Sequence, residues 1–300
     1  MIAALAVAAG WLLFASLVVV LGSLAARWVY VPRTASSLPE AEDALTRSAA
    51  RLGSIGAFFL PVAMAGLFAR QLAEFRDPFA TWTEDAQLLL STQWGTTWRW
   101  SAALAVVVAL LFLLVRLELR WAWWPAAAGA LALSFYPALT GHAAGTEGLR
   151  VLTIGADFVH VVAAGVWVGG LTYVLWAERS WRKTAEEPGS VLPALVPAFS
   201  PVAVGAVATL VVTGTIAAWI HVASFAALFQ STYGRLLLAK VGAVLLVMYL
   251  GAVNWRRLSP QLGSEEGQDA LRRNAATELL IMQVVLVVTA VLVRTSPMAH

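Results

Sequence analysis

The chain of 300 residues contains no cysteine. This absence excludes disulfides, thiolate metal sites, iron–sulfur clusters and thiol redox chemistry. Charged residues are also scarce: they make up 12% of this chain, whereas a soluble domain carries about 25%. Gly-rich phosphate loops, a His-Glu-x-x-His motif and a nucleophile–base arrangement are missing too. The sequence therefore gives no support for a hydrolase or an ATP-driven pump, and we do not expect an enzyme.

Apolar residues are abundant, at 60% of the chain with a mean hydropathy of +0.77. A membrane span needs about 20 mostly apolar residues. We therefore predict an all-α, polytopic membrane helix bundle with about eight transmembrane helices. The first apolar stretch lacks a basic start and is too long for a signal peptide, so we interpret it as a retained span. The predicted spans cover residues 2–29, 49–70, 97–116, 122–140, 151–177, 198–221, 234–255 and 273–293.

Two segments between the spans have a recognisable character. The segment Asp77–Thr97 contains tryptophans and carboxylates, and we expect it to be a structured loop outside the membrane. The segment Pro188–Pro201 contains four prolines, which should keep the chain from being helical before the sixth span.

The basic residues predict the orientation of the bundle. Cytoplasmic loops of membrane proteins carry an excess of Lys and Arg. Thirteen of the 20 basic residues lie in alternate connections, so those connections should be cytoplasmic and both termini periplasmic. Because the basic residues form short clusters between apolar runs, we expect no nucleic-acid partner. The thirteen are Arg27, Arg33, Arg47, Arg51, Arg116, Arg120, Arg179, Arg182, Lys183, Arg256, Arg257, Arg272 and Arg273.

Asp157 and His160 lie in one of the most apolar stretches of the chain. Their spacing of three residues places both on one helix face. Ionisable groups at membrane depth are costly unless paired, so they indicate a metal or proton site on a transport route. Trp167 continues the same stripe at helical spacing. The alternative is a hydrogen-bonded pair that only fixes helix packing.

Two further histidines fall on the predicted periplasmic side. His142 lies in the loop between the fourth and fifth spans, and His221 ends the sixth span. His160 lies about 14 Å deeper along its helix, at 1.5 Å per residue. We therefore interpret His142 as a ligand at the outer mouth, His160 as the central ligand and His221 as a candidate third ligand.

Lys240 and Glu278 are the remaining ionisable residues inside predicted spans that we assign to a transport path or its support. Lys240 enters the seventh span at about the depth of Asp157, and a buried lysine needs a partner, so we predict that the two lie close together. Alternatively, Lys240 extends to the membrane interface. Glu278 is either an exit-side carboxylate or proton acceptor, or the partner of Arg256 or Arg257.

Several motifs follow one another from residue 140 onwards. They are Gly141-His142-Ala143; Asp157-x-x-His160 followed by Trp167-x-Gly169-Gly170-Leu171; Thr213-Gly214; Tyr233-Gly234-Arg235 with Lys240; Asn254; and Glu278 in the last span. In these motifs the chain resembles the copper resistance D (CopD/PcoD) family of bacterial inner-membrane proteins. The resemblance covers roughly residues 140–297, and the first four spans resemble the family only in hydropathy. The chain departs from the family pattern at Trp255, where we would expect arginine after Asn254.

The resemblance implies a multi-pass protein of the bacterial inner membrane that handles copper. It implies transfer from the periplasm, with a periplasmic CopC-type copper-binding protein as partner and the lipid bilayer as surroundings. Because cysteine is absent and methionines are few, histidine and aspartate ligands fit Cu(II) better than Cu(I). We expect residues 1–140 to form an N-terminal four-span region and residues 141–300 a copper resistance D-like region, both within one integrated membrane domain.

Two other functions stay open at the level of sequence. A b-type haem membrane redox protein would use two membrane histidines as axial ligands, and His160 would be one of them. A non-transporting copper sensor or assembly scaffold would bind copper or its partner without flux.

Overall fold

The computed structural model describes residues 2–141, 148–184, 189–222 and 224–295. Within these ranges the regular secondary structure is helical and includes no strand, which confirms the predicted all-α fold. The α-helices of these ranges are α1 (Ile2–Ala25), α2 (Val31–Ala35), α3 (Glu42–Phe75), α4 (Trp82–Ser91), α5 (Gln93–Arg116), α6 (Trp123–Leu133), α7 (Tyr136–Thr140), α8 (Arg150–Ala164), α9 (Gly170–Thr184), α10 (Leu192–His221), α11 (Ala227–Gln230), α12 (Thr232–Val253) and α13 (Glu265–Leu292).

Seven helical stretches in the described ranges are long and apolar enough to cross a membrane, and they match seven of the predicted spans. The fourth predicted span, 122–140, is instead divided into α6 and α7 at Ser134. The division has a local cause, because Pro137 has no N–H to continue the helix to Leu133. The seven are Ala3–Ala35, Pro39–Phe75, Gln93–Arg116, Arg150–Lys183, Leu192–Ile220, Thr232–Gln261 and Glu265–Leu292.

The divided segment still passes from one end of the bundle to the other. We call the end at which Glu74 pairs with Arg294 the Glu74 end, and the opposite end, at which Glu178 pairs with Arg272, the Glu178 end. The segment starts beside Trp28, whose ring contacts Trp123 at 6.1 Å between centroids near the Glu178 end. It finishes at the Glu74 end, where a Cβ on Gly141 would lie 3.8 Å from Val293.

Helix α1 begins where α13 finishes. A Cβ on Gly10 would lie 3.1 Å from the Cβ of Ala290, and the indole of Trp11 donates a hydrogen bond to Gln283 at 3.0 Å. The first and last described residues therefore lie at the same end of the bundle, the Glu74 end. An even number of passages requires this arrangement.

The first span and the fifth cross at glycines, where neither backbone carries a side chain. A Cβ on Gly169 would collide with the carbonyl oxygen of Val18, and one on Gly22 would collide with the backbone of Gly169. Small residues allow this approach, in which packing and polar contacts hold the helices together. The Tyr30 hydroxyl adds a hydrogen bond to the carbonyl of Val166 at 2.7 Å. That carbonyl belongs to a π-helical segment, Gly165–Gly169, that joins α8 to α9.

Helix α13 is fixed at both ends by ion pairs. Arg294 pairs with Glu74 of α3, and Arg272 reaches the Glu178 carboxylate of α9 at 2.7 Å. Glu178 is 1% exposed, and its other oxygen accepts hydrogen bonds from Ser190 and from the backbone N–H of Val191, each at 3.0 Å. One carboxylate therefore joins α9, α13 and the start of α10.

The prediction that prolines keep the chain non-helical before residue 198 is wrong. Helix α10 begins at Leu192 and continues through Pro197 and Pro201. Pro193 lies in the first turn, where its missing N–H would have no partner. The later prolines are tolerated because bundled membrane helices can supply other partners for the freed carbonyls.

The loop after α3 is structured, as predicted for Asp77–Thr97. Arg76 pairs with Asp85 of α4. Thr81 and Glu84 form a capping box at the start of α4, each accepting a hydrogen bond from the backbone of the other. These hydrogen bonds from Thr81 lower the pKa of Glu84, so the carboxylate stays charged at the helix N-terminus.

Helix α12 is less buried by protein than the other spans found in the described ranges. Its most apolar stretch is only 6% buried, compared with 39% for α13. Its main neighbours are α13, the short helix α11 and the π-helical segment Asn254–Leu258 that follows it. Most of its surface therefore faces lipid in a membrane.

Replacing Gly169 by alanine should destabilise the bundle strongly, because the added Cβ meets the backbone of α1. We expect a loss of at least about 3 kcal/mol, the upper part of the range for overpacking. Gly205→Ala is the matched control, because nothing lies within 4 Å of a Cβ there. Thermal unfolding and gel filtration of both variants in detergent would check this. Equal stability of the two would contradict the close crossing.

Replacing Arg272 by glutamine should leave Glu178 buried without its cation. Removing one partner of a buried ion pair costs about 3–5 kcal/mol. The neighbouring Arg273 is exposed and forms none of the ion pairs found among the described residues, so Arg273→Gln should change stability by no more than about 0.5 kcal/mol. Denaturation of the two variants side by side measures the difference, and the same loss in both would refute a specific role for Arg272.

Candidate functional site

His160 is anchored by a polar side chain of the neighbouring span. Its Nδ1 lies 2.8 Å from the Thr213 hydroxyl oxygen, and that hydroxyl lies 2.8 Å from the carbonyl of Thr209. A hydroxyl has one proton, and the carbonyl can only accept. The hydroxyl therefore donates to Thr209 and accepts from His160, so the proton of the neutral imidazole is on Nδ1. This tautomer leaves the lone pair of Nε2 for another partner.

Helix α12 also contributes side chains to the site. The charge of Asp157 acts on both Lys240 and Tyr233, and the charge of Lys240 acts on His160. Tyr233 and Lys240 are seven residues apart, so they share one face of α12. Asp157 and Lys240 therefore lie within electrostatic range of each other, as the sequence predicted.

These side chains form what we call the His160 cluster: Asp157, His160, Thr213, Tyr233 and Lys240. Three different helices contribute to it, namely α8, α10 and α12. Asp157, His160 and Lys240 are only partly buried by protein, whereas Thr213 is 7% exposed. A carboxylate next to an ammonium group offsets charge that would be costly at membrane depth. The cluster is thus nearly neutral in the absence of cargo.

The other two candidate histidines cannot be placed beside the cluster. His142 lies outside the described residues. His221 ends α10, but its side chain is outside what the structure describes. Among the described residues, no group of three or more His, Asp or Glu side chains is arranged to hold a metal ion. A metal at His160 and Asp157 would therefore need a further ligand, and the ligand roles of His142 and His221 stay predictions.

Trp167 lies one helical segment beyond Asp157 and His160. The predicted stripe assumed α-helical spacing, but residues 165–169 are π-helical, and a wider turn rotates the following residues around the axis. Trp167 is 7% exposed and belongs to the hydrophobic core. Burial in the core agrees with a supporting role for Trp167, which stays a prediction.

Glu278 is bound to an amide and not to an arginine. Asn254 donates a hydrogen bond to one of its carboxyl oxygens, and Asn274 donates to the Asn254 carbonyl oxygen at 3.1 Å. Arg256 and Arg257 are exposed on the same π-helical segment. Pairing of Glu278 with either arginine is therefore wrong for the described residues.

Sequence reasoning missed Thr213 and Tyr233 as members of the site. Both belong to motifs quoted above, Thr213-Gly214 and Tyr233-Gly234-Arg235, and this was the only available signal. Threonines are ordinary in membrane helices, where the hydroxyl often bonds to a carbonyl of the preceding turn, as Thr213 also does.

The family comparisons cover both halves of the chain. The family model described as "Copper resistance protein D-like, N-terminal domain" matches residues 1–152, and the model described as "Copper resistance protein D" matches residues 193–292. The chain belongs to the copper resistance D family. Together with the seven apolar helices, this makes it a multi-pass membrane protein, consistent with the inner membrane. The first four spans share more with the family than hydropathy, contrary to our expectation.

One curated relative is the "Copper transport protein CutJ" of Bacillus subtilis, strain 168. It is 30% identical over 211 residues, which cover 68% of this chain and 37% of the relative. The chain thus spans well under half the length of that relative. No solved structure matches the chain.

If His160 is a copper ligand, as the sequence predicts, replacing Thr213 by valine should weaken copper binding there. The variant loses the hydroxyl that fixes the imidazole tautomer, and loss of such an orienting partner typically lowers metal affinity about 10–100-fold. Thr215→Val is the matched control, because its hydroxyl is exposed and bonds only to the carbonyl of Val211. Copper titration against a competing chelator measures both, and equal affinities would show that Thr213 does not orient His160.

Proposed function

We propose that this protein takes up copper at its Glu74 end and transfers it inward through the His160 cluster. The main support is the anchoring of His160 by Thr213, which leaves the lone pair of Nε2 for another partner, with Asp157 one turn away on the same helix. In this proposal His160 is the central ligand and Asp157 its co-ligand or orienting carboxylate. His142 acts at the outer mouth, and His221 is a third ligand. The Glu74 end faces the periplasm, as the basic residues predict.

The chemistry of the cluster favours an ion of borderline softness. Imidazole nitrogen and carboxylate oxygen suit Cu(II), whereas Cu(I) prefers the thiolates and thioethers that this path lacks. Lys240 then has a defined part. Its ammonium group balances Asp157 while the site is empty, and an arriving copper ion competes with it for the same carboxylate. Release becomes easier because Lys240 can take the carboxylate back.

One relative is named a copper transport protein, and this chain covers only part of it. The name therefore supports the proposal at the level of the family. We further propose a periplasmic copper carrier of the CopC type as the donor. Because α1 packs against both α13 and the π-helical segment Gly165–Gly169, we propose that the two halves work as one integrated membrane domain.

The decisive measurement is metal content and the visible spectrum of the purified protein, wild type beside His160→Ala. We expect stoichiometric copper in the wild type, loss of at least half of it in the variant, and no Soret band in either. Thr215→Val serves as a folded control with the site intact. Gel filtration of all three proteins shows that they are folded.

Each other outcome has a definite meaning. A Soret band that disappears with His160→Ala would replace copper transfer by a b-type haem redox function. Folded wild type without copper or haem would make Asp157 and His160 a structural pair. Copper binding without flux into proteoliposomes would identify a sensor or assembly scaffold.

A further inference from the structure

Glu278 is a buried carboxyl group far from the His160 cluster. It lies in the apolar part of α13 and is 3% exposed. One oxygen accepts the hydrogen bond from Asn254, and a Cβ on Gly251 would lie 3.7 Å from the other oxygen. An ionisable group at such a position is expensive and therefore has a function or a partner.

Among the described residues, no basic side chain of the elements around Glu278 forms an ion pair with it. Helix α1 has no charged residue between Ile2 and Ala25. Helix α9 contributes Glu178, whose cation is Arg272, one of the two basic residues nearest to Glu278 along α13; the other, Arg273, is exposed. Arg256 and Arg257 on the neighbouring π-helical segment are exposed as well. The partner that remains is the amide of Asn254, whose side-chain oxygen in turn accepts a hydrogen bond from Asn274.

A carboxylate in this setting has two ways to avoid an uncompensated charge: it binds a metal cation or a proton. Metal binding needs several ligands, and the described residues include no group of three His, Asp or Glu that could hold an ion. One amide donor is too little to stabilise the anion in an apolar environment. The group therefore fits a proton as its ligand.

The position of Glu278 links it to the His160 cluster through α12. Gly251, which faces Glu278, comes 11 residues after Lys240 on the same helix. Eleven residues are about three turns, so both lie on nearly the same face, about 16 Å apart along the axis. Glu278 in turn lies about 9 Å along α13 from Arg272 at the Glu178 end.

We propose that Glu278, with Asn254 and Asn274, forms a proton-exchange site that opens towards the Glu178 end of the bundle. The carboxyl group holds its proton at rest with Asn254 donating to the unprotonated oxygen. It releases the proton, and takes it up again, when α12 shifts against α13. The coupling of this exchange to copper movement rests on the proposed function; the protonated carboxyl itself does not.

Infrared difference spectroscopy of the purified protein tests the site without copper. We expect a carboxylic acid C=O band at neutral pH that shifts in deuterated water and is missing in Glu278→Gln. The glutamine variant should fold, because its amide oxygen still accepts from Asn254. Glu266→Gln is the control, since Glu266 is exposed in the first turn of the same helix. A wild type without the band, or an unchanged band in Glu278→Gln, would overturn the proposal.

Proteoliposomes with an internal pH indicator test the coupling. Copper added to the wild type should change the internal pH, and Glu278→Gln should at least halve this change and flatten the pH profile of copper flux while still binding copper at His160. The same pH profile in wild type and Glu278→Gln would reduce Glu278 to a structural role. A wild type that carries no copper would refute the proposed function instead, and the infrared band would still decide whether Glu278 holds a proton.

Discussion

The contact between Gly22 and Gly169 determines the arrangement of the rest of this bundle. Neither position has room for a Cβ, so the first and fifth spans meet backbone to backbone. The hydrogen bond from Tyr30 to Val166 then fixes the rotation of the fifth span about its axis. Because His160 lies on that span, its depth and direction follow from this crossing. A polar site in a membrane depends on such rigid apolar packing, since lipid gives helices little reason to associate.

In the C-terminal half, polar residues lie on two helices that differ in how firmly they are held. One helix is fixed by ion pairs, and the other is bound only weakly. Helix α13 is clamped by Glu74 and Glu178 and carries Glu278, whereas α12 carries Tyr233 and Lys240 and is bound mainly through α13. The His160 cluster therefore combines α8 and α10, which pack against each other, with α12, which is bound mainly through α13. The proposed transfer of an ion can use a movable α12, because ligands that hold an ion must also let it go.

Much of the fold could be predicted from the sequence, because hydropathy reports directly which residues can lie in lipid. The sequence predicted most ends of the spans within a few residues. It did not predict local features of the backbone. Pro197 was expected to lie before the sixth helix and is inside it, and Pro137 divides a span that was expected to be continuous. The π-helical turn at Gly165–Gly169 has no periodic signature, so the sequence could not predict it.

The candidate site was predictable only in part. Asp157, His160 and Lys240 were identified because ionisable side chains are rare in apolar sequence, and the charge of Lys240 made Asp157 a natural partner. Thr213 could not be found in this way, since its hydroxyl becomes informative only when α10 is placed against α8. Asn254, Arg256 and Arg257 all lie in the segment that follows α12, so the sequence could not show which of them pairs with Glu278. The packing of α12 on α13 makes Asn254 the partner.

The sparse packing of α12 makes the bilayer a structural component of this protein. With only 6% of its most apolar stretch buried by protein, its tilt and depth are set largely by the hydrocarbon thickness around it. A change in that thickness moves Tyr233 and Lys240 relative to Asp157 while leaving α8 and α10 in place. Acyl-chain length thereby acts on the geometry of the site directly, so detergent micelles and bilayers of different thickness hold the same polypeptide in different working states.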